Sequence, residues 1–234
     1  MISFNQASVV SHDGATILHP FSLELTEQRV AVIGANGSGK STLARLINGL
    51  VEPSSGTVTI AEADDSTSAL DTVADGSAVR RAVGFVFTDP AAQLIMPTVI
   101  EDVELSLRRE HRDASDRRLA AVAALARFGL DGFAERSVHA LSGGQQQLLA
   151  IATVLATGPR ILVTDEPTTL LDLRNTRVIG DLLTSLPQQV VIVTHNLDLA
   201  ARTDRVLVID QGRIVFDGEP AAAIAHYRDS VAAA

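Results

Sequence analysis

"GANGSGKST", residues 34 to 42, follows the apolar run "RVAVIG" and opens a helix-like stretch. The spacing G-x-x-x-x-G-K-S, from Gly34 to Ser41, predicts a phosphate-binding loop in this strand-to-helix context. Glycines allow successive backbone N–H groups to converge on phosphate oxygens at a helix N-terminus. Lys40 is the only lysine in a chain with 18 arginines, and its compact ammonium suits a narrow ring of phosphate oxygens better than a guanidinium fork. An ordinary glycine turn is the weaker interpretation, and we expect the loop to bind a nucleoside triphosphate.

The sequence on both sides of this loop predicts a layered α/β fold with a parallel sheet. Short, continuous apolar runs are typical of strands that are buried on both faces. We predict five such strands, at 29–35, 83–87, 160–165, 189–195 and 205–210. Helices are predicted outside the sheet at 41–49, 172–186 and 196–202.

Three further regions complete the predicted organisation of the chain. The runs "ASVVS" (7–11), "FSLEL" (21–25) and "GTVTI" (56–60) predict an antiparallel edge, and 99–158 shows only helical periodicity. The polar stretch 61–79 is predicted to be a solvated insertion, and the alanine-rich tail after Tyr227 is predicted to fray. We therefore predict one domain over 1–234, in which 1–92 and 159–234 form the core with its antiparallel edge and 93–158 form a helical subdomain.

The composition excludes several classes of function. The net charge is −9, the wrong sign for a surface that grips nucleic acid or anionic lipid by charge alone. Cysteine is absent, which excludes disulfides, thiolate metal sites and thiol catalysis, and is consistent with the cytosol. The N-terminal residues lack a signal-peptide pattern, and no apolar run is long enough to span a bilayer. We expect a membrane role, if there is one, to come through a partner protein.

Three more motifs carry residues suited to phosphate chemistry. "ILVTDEP" places Asp165 and Glu166 at the end of a buried strand, where they suit Mg²⁺ and an attacking water; capping of the next helix is the alternative. "LSGGQ", residues 141–145, directly precedes a helix and predicts a second helix N-terminus that binds phosphate. A single nucleotide site needs only one such helix N-terminus. His195 ends the strand "VVIVTH", and both a contact with the γ-phosphate and a structural role remain open.

The ordered set "GANGSGKST", "LSGGQ", "VTDEP", "LLD" and "THNLD" resembles that of ATP-binding cassette (ABC) ATPases over essentially the whole chain. The resemblance implies a P-loop NTPase core, with ATP and Mg²⁺ as cofactors and a head-to-tail dimer of two copies. It assigns Glu166, His195 and Lys40 to catalysis, Ser41 and Asp165 to the metal, and Asp172 to the dimer contact. ATP would be bound by Gly34, Asn36, Gly37, Ser38, Gly39, Lys40, Ser41 and Thr42 of one copy and by Ser142, Gly143, Gly144 and Gln145 of the other.

The sequence departs from the family pattern at three positions. His12 stands where family members usually place an aromatic residue that stacks on adenine. Thr164 replaces an apolar residue of the Asp165 strand, which is a mild change because β-branched residues suit strands. Thr88 stands where the family has a glutamine after "VF", and that glutamine's role in metal binding and coupling is therefore not transferred to it.

A narrower resemblance is to energy-coupling factor (ECF) vitamin transporters. "TDPAAQLIMPTVIEDV", residues 88–103, is similar to the ECF segment in which a short helix carrying a glutamine, here Gln93, precedes the helical subdomain. "TTLLDLRN" (168–175) and the short C-terminal tail resemble the ATPase subunit for biotin uptake. The resemblance implies a peripheral subunit on the cytoplasmic membrane face, with a transmembrane coupling protein docked on 93–107 and a substrate-binding membrane protein. Another ECF cargo (cobalt, nickel or another vitamin) is the main alternative.

Two alternatives come from other classes of protein. A soluble ABC ATPase acting on DNA or ribosomes would need a long coiled-coil insertion or two cassettes in one chain, and this sequence has neither. A nucleotide kinase has no use for "LSGGQ". We therefore expect no nucleic-acid partner.

Overall fold

Two sheets form the framework of the protein in the computed structural model, which describes residues 1–62 and 65–232. The larger sheet has the strand order β10-β9-β3-β8-β7-β6. Adjacent strands are parallel except β10, which pairs with β9 antiparallel. Its strands are β3 (Arg29–Gly34), β6 (Val83–Val86), β7 (Ile161–Asp165), β8 (Gln189–Val193), β9 (Arg205–Asp210) and β10 (Arg213–Gly218). The five predicted strands are its parallel members, and they are largely buried, as continuous apolar runs require.

The smaller sheet is antiparallel, with the order β2-β1-β4-β5. Its strands are β1 (Ile2–Val10), β2 (Thr16–Leu25), β4 (Ser55–Glu62) and β5 (Asp65–Asp71). The predicted antiparallel edge is confirmed, with longer strands than the quoted runs. One apolar core lies between this sheet, one face of the larger sheet and helix α1 (Lys40–Asn48).

Helices cover the other face of the larger sheet. They are α3 (Val99–Ser106), α4 (Ala114–Arg127), α5 (Gly143–Ala156) and α6 (Leu173–Ser185), and their apolar residues share a second core with β6, β7 and β8. From α3 to α5 the described chain forms no strand, and Ser137 makes only an isolated bridge to Thr98, the residue before α3, so the prediction of a helical region is confirmed. A small third core joins β3 and β9 to α7 (Leu197–Ala200) and α8 (Pro220–Ala232).

Two predictions about the polar segments were wrong. The stretch 61–79 is no loose insertion: β4 runs into it, β5 pairs with β4 through Ile60 and Leu70, and α2 (Gly76–Ala82) begins within it, although residues 63–64 lie outside the described structure. The tail after Tyr227 continues α8 as far as Ala232. Strand β10 was not predicted, since its residues alternate between exposed and half-buried and lack a continuous apolar run.

Candidate active site

The phosphate loop, residues 34–42, connects the end of β3 to the start of α1. Gly34 and Gly39 have φ values of 149° and 106°, which disfavour any residue with a side chain. A Cβ on Gly34 would also lie 2.1 Å from the carbonyl oxygen of Ile209, and one on Gly39 would lie 2.8 Å from Leu18 Cδ2. The local sequence therefore requires glycine at both positions, for its backbone shape as well as for space.

The exposed part of the loop is formed by Ala35, Asn36 and Gly37, whereas Ser38 is buried and Thr42 is half-buried. Ser38 Oγ has no hydrogen-bond partner within the described residues. A buried hydroxyl without a hydrogen-bond partner destabilises the protein. Ser38 therefore offers a free donor and acceptor within the loop to a bound ligand.

Lys40 begins α1 and folds back into the loop. Its Nζ donates to the carbonyl oxygens of Gly34 (2.9 Å) and Ala35 (2.8 Å). The residue is 6% exposed, and burial lowers the pKa of its ammonium, while the charges of Glu166 and Asp165 act in the opposite direction. Within the described residues its hydrogen-bond partners are these two neutral carbonyls, and a buried cation so placed is well suited to bind anionic phosphate oxygens.

Ser41 and Asp165 meet beneath the loop. Ser41 Oγ donates to Asp165 Oδ1 at 2.8 Å, and Arg45 Nη2 lies 3.6 Å from Oδ2 of the same carboxylate. The Asp165 side chain is 3% exposed, and burial raises its pKa, partly offset by the Ser41 hydrogen bond and the Arg45 charge. Buried carboxylate and hydroxyl oxygens on adjacent elements are the hard ligands that Mg²⁺ prefers. The residues present therefore fit a magnesium ion.

Glu166 follows Asp165 and points towards His195. Glu166 has φ +52°, an uncommon value for a residue with a side chain, and its N–H donates to Val193 O at 2.9 Å. His195 Nδ1 lies 2.7 Å from Glu166 Oε2. Because a carboxylate only accepts, Nδ1 carries the hydrogen, and Nε2 is left for another partner. These contacts keep the Glu166 carboxylate beside, and not within, the Ser41 and Asp165 pair.

Sheet order explains why residues distant in sequence come together. Strand β3 pairs with β8, and β8 pairs with β7, all in parallel. The phosphate loop, Asp165 with Glu166, and His195 follow the carboxyl ends of these three neighbouring strands. The crevice outside the carboxyl ends of parallel strands is the usual ligand site of such sheets. The predicted grouping of these residues has a direct structural cause.

The signature segment, residues 141–145, begins α5 with a capping box. Ser142 Oγ accepts from the Gln145 N–H, and Gln145 Oε1 accepts from the Ser142 N–H. Ser142 and Gly143 are exposed, and Gly144 is buried against Asn175, where a Cβ would lie 2.5 Å from Asn175 Cγ. Within the described residues, no hydrogen bond or ion pair connects this segment to Lys40 or Asp165. The signature segment is therefore not connected to the phosphate site of its own chain by these contacts.

Asp172 lies next to the signature segment and caps α6. Its Oδ1 accepts from the Asn175 N–H at 2.8 Å and its Oδ2 from Asn175 Nδ2 at 3.1 Å. The same asparagine packs on Gly144, so Asp172 is connected to the signature segment through one side chain. The spacing of Asp172 and Asn175 is typical of a helix N-cap, and sequence reasoning missed it.

Two of the departures from the family pattern, His12 and Thr88, lie in different environments from each other and from Gln93. His12 is exposed in the turn between β1 and β2, and Thr88 is half-buried after β6. Gln93 does not point outward: its Oε1 accepts from the Phe87 N–H at 3.2 Å, and its Nε2 donates to Phe85 O at 3.4 Å. The side chain that was expected to contact a partner therefore holds segment 88–92 onto β6.

Two side chains of the site were not identified from the sequence. Arg45 lies one helical turn after Ser41, a spacing that places both on one face of α1 next to Asp165. Thr169 donates to Glu166 Oε2 at 3.0 Å. Nothing in a threonine three residues after a glutamate distinguishes it from an ordinary turn residue.

Comparison with known proteins agrees with this geometry. Residues 18–169 match the family model described as "ABC transporter". The chain is 42% identical to the biotin transport ATP-binding protein BioM of Rhizobium etli, over 99% of each chain, and relatives of 43–44% identity carry only general ABC transporter ATP-binding names.

Two solved structures have the same fold. The protein cbiO1 of Clostridium perfringens, described as part of the ABC transporter complex cbiONQ, superposes with a TM-score of 0.82 at 30% identity, over 96% of this chain and 90% of that one. The dimeric cassette MJ0796, bound to ADP and Pi in a post-hydrolysis state, gives 0.81 at 31% identity, over 94% and 99%. The chain belongs to the ABC transporter family and carries its ATP-binding, ATP-hydrolysing domain.

Proposed function

We propose that this protein is the ATP-hydrolysing subunit of an ECF-type transporter for biotin. The observation that carries the ATPase part is the convergence of Lys40, Asp165, Glu166 and His195 at the carboxyl ends of three adjacent strands. Such a set provides a phosphate cation, a metal ligand and a polarising carboxylate. The name of the Rhizobium etli relative supports the biotin part, and the cbiO1 complex supports assembly with other subunits.

Binding of ATP would use the phosphate loop as it stands. Lys40 exchanges its two carbonyl partners for the β- and γ-phosphate oxygens, and the loop N–H groups and the Ser38 hydroxyl bind the remaining oxygens. Thr42 and the exposed Asn36 and Gly37 lie at the edge of the same loop.

The two neighbouring acids, Asp165 and Glu166, would have different roles in hydrolysis. Ser41 and Asp165 would hold Mg²⁺, which supplies charge neutralisation on the phosphates. Glu166 would polarise the attacking water, and His195, whose Nδ1 faces Glu166, would direct Nε2 to the γ-phosphate.

The signature segment would complete the site of a second copy. Ser142 and Gly143 are exposed at the start of a 14-residue helix, and no contact connects them to Lys40 in the described chain. An unused phosphate-binding end is explained when two copies pack head to tail with ATP between them, and the dimeric MJ0796 structures support this arrangement.

The membrane partners would act on the helical face. No helix in the described part of the chain is long and apolar enough to cross a bilayer. We place the protein on the cytoplasmic membrane face, bound to a transmembrane coupling protein near 93–107, with a substrate-binding membrane protein in the complex. Ile95, 70% exposed beside the anchored Gln93, offers an apolar contact there. The proposed subdomain boundaries, 93–158 against the rest, follow this division.

Uptake of labelled biotin by cells depleted of biotin tests the cargo. Deletion of the gene should abolish uptake, the parent gene should restore it, and a Glu166→Gln gene should not. Unchanged biotin uptake together with lost cobalt or nickel uptake would favour the alternative ECF cargo. Unchanged uptake of all three, with the protein absent from washed membranes, would favour a soluble ABC ATPase.

A further inference from the structure

Three hydrogen-bond donors converge on one oxygen of Glu166. Thr169 Oγ1 lies 3.0 Å from Oε2, His195 Nδ1 lies 2.7 Å from it, and the His195 N–H lies 3.3 Å from it. Within the described residues, no donor reaches the other oxygen, Oε1. The two carboxylate oxygens are therefore unequal: one is held by the protein and the other is free.

This asymmetry fixes the direction of the free oxygen. A glutamate side chain has three rotatable bonds, and fixing it in one conformation costs side-chain entropy. Donors from His195 and Thr169 come from different elements, one after β8 and one in the turn after β7, so together they restrict rotation of the carboxylate plane. A single donor would leave the plane free to turn about that hydrogen bond.

Thr169 is placed for this task by its turn. The Thr169 N–H donates to Glu166 O at 3.3 Å, which brings the threonine side chain back over the glutamate. Its residue is exposed, whereas the Glu166 side chain is only 15% exposed. The hydroxyl therefore makes no core contact that would explain its conformation, and within the described residues it hydrogen-bonds only to Glu166.

We propose that Thr169 is a positioning residue for hydrolysis, which turns Oε1 of Glu166 towards the attacking water. The inference rests on the proposed function, in which Glu166 polarises that water. In the step, the water oxygen bonds to the γ-phosphorus, the bond from that phosphorus to the departing ADP oxygen breaks, and a water proton passes to Oε1. Thr169 and His195 remain on Oε2 throughout and keep this geometry.

Steady-state ATP hydrolysis by the purified full-length protein tests the proposal. Thr169→Val removes the hydroxyl at constant shape, and kcat should fall about tenfold while KM for ATP stays within about twofold, because orientation and not binding is lost. Thr169→Ser keeps the donor and should stay within about twofold of the parent in kcat. Thr57→Val, on an exposed strand position of the antiparallel sheet, is the matched control and should change neither constant.

The outcomes separate this inference from the proposed function. A parent protein without ATP hydrolysis would overturn the proposed function and the inference with it. A parent that hydrolyses ATP and loses this in Glu166→Gln, combined with a Thr169→Val kcat within twofold of the parent, would overturn only the inference. A raised KM with unchanged kcat, or a Thr169→Ser variant as slow as Thr169→Val, would also overturn it, since binding or packing would then explain the effect.

Discussion

Ser41 and Asp165 are 124 residues apart in sequence, and the hydroxyl of one donates to the carboxylate of the other at 2.8 Å. The first belongs to the first turn of α1 and the second ends β7. Their hydrogen bond connects the phosphate loop to the strand that carries both acids. It also preserves, without a ligand, a pair of oxygens of the kind that a magnesium ion would use.

Asp165→Asn should uncouple hydrolysis from Mg²⁺. The amide oxygen still accepts from Ser41, so the fold is kept, but the negative charge beneath the phosphates is lost. We expect hydrolysis to fall at least about 100-fold and Mg²⁺ to lose its stimulating effect, because neutral ligands hold Mg²⁺ poorly. Turnover is measured against Mg²⁺ concentration, with EDTA as the metal-free reference. Unaltered Mg²⁺ dependence would remove Asp165 from the metal site.

Lys40→Arg should abolish hydrolysis and weaken ATP binding although the charge is kept. The ammonium fits between the Gly34 and Ala35 carbonyls, and the larger guanidinium cannot enter the same narrow loop. The variant would lose the two charge-assisted hydrogen bonds proposed between the Lys40 ammonium and the β- and γ-phosphate oxygens, at about 1.5–3 kcal/mol each. This loss predicts at least about a tenfold weaker affinity for ATP. Titration with a fluorescent ATP analogue and a turnover assay measure both effects. Near-normal turnover would contradict the assigned role of the lysine.

Glu166→Gln should bind ATP and stall before hydrolysis. The amide can still lie beside His195, but it cannot take a proton from water. ATP with Mg²⁺ should therefore accumulate a stable dimer in the variant, where the parent shows mostly monomer. Size-exclusion chromatography with and without ATP measures this, with Glu166→Gln/Lys40→Arg as the variant that should stay monomeric. A single variant that stays monomeric with saturating ATP would count against the head-to-tail dimer.

Gln93→Ala should separate transport from hydrolysis. The amide bonds to Phe87 N and Phe85 O hold segment 88–92 on β6, away from Lys40 and Asp165. We expect turnover of the isolated protein to stay within about twofold and uptake by the reconstituted complex to fall about tenfold, or roughly 1.4 kcal/mol. Gln93→Glu keeps the acceptor for the Phe87 N–H and loses the donor to Phe85 O. Its uptake should lie between that of the parent and that of Gln93→Ala. Equal losses of turnover and uptake would contradict a coupling role.

Thr164→Val should stabilise the protein. Thr164 is fully buried in β7, and its Oγ1 has no hydrogen-bond partner within the described residues. Removing an unsatisfied hydroxyl should raise the free energy of unfolding by about 1 kcal/mol, which is about 2–4 °C in Tm for a domain of this size. Thr203→Val is the matched control: Thr203 is 7% exposed, and its hydroxyl donates to Ala200 O at 2.8 Å, with Arg205 O 3.2 Å away as a second acceptor. That variant should lower Tm, and a stabilised control would invalidate the argument.

The sequence was sufficient for the parallel sheet and for the residues at its carboxyl edge. Buried strands such as "ILVTD" are continuous apolar runs, and the phosphate loop depends on glycine spacing that is visible in one dimension. The edge strand β10 was missed because its residues alternate between exposed and half-buried, and β5 was missed because its sequence is polar, so only pairing with a neighbour makes them strands. The same limit applied to the stretch 61–79, whose polar composition concealed a strand and a helix.

Side-chain direction was the second limit. Gln93 was expected where a membrane partner docks, but its amide turns inward to the Phe87 N–H, just after β6, and to the Phe85 carbonyl oxygen in β6. Arg45 and Thr169 escaped notice because their partners, Asp165 and Glu166, become neighbours only after folding or through the shape of a turn. The family assignment, by contrast, needed only the ordered motifs, and the comparisons confirm it.

The burial of Lys40 also determines how acylating reagents would react with this protein. Lys40 carries the only side-chain amine of the chain. The other amine, at the N-terminus, donates to Ala61 O. Acyl transfer to lysine requires an unprotonated and accessible nitrogen, and bound ATP would deny both, by its charge and by its bulk. Acetylation would leave a neutral amide in the loop, which cannot replace the ammonium against phosphate. Because Lys40 is only 6% exposed without a nucleotide, the mass of the lysine-containing peptide, with or without one acetyl group, would record which molecules had exposed this amine while the loop was empty.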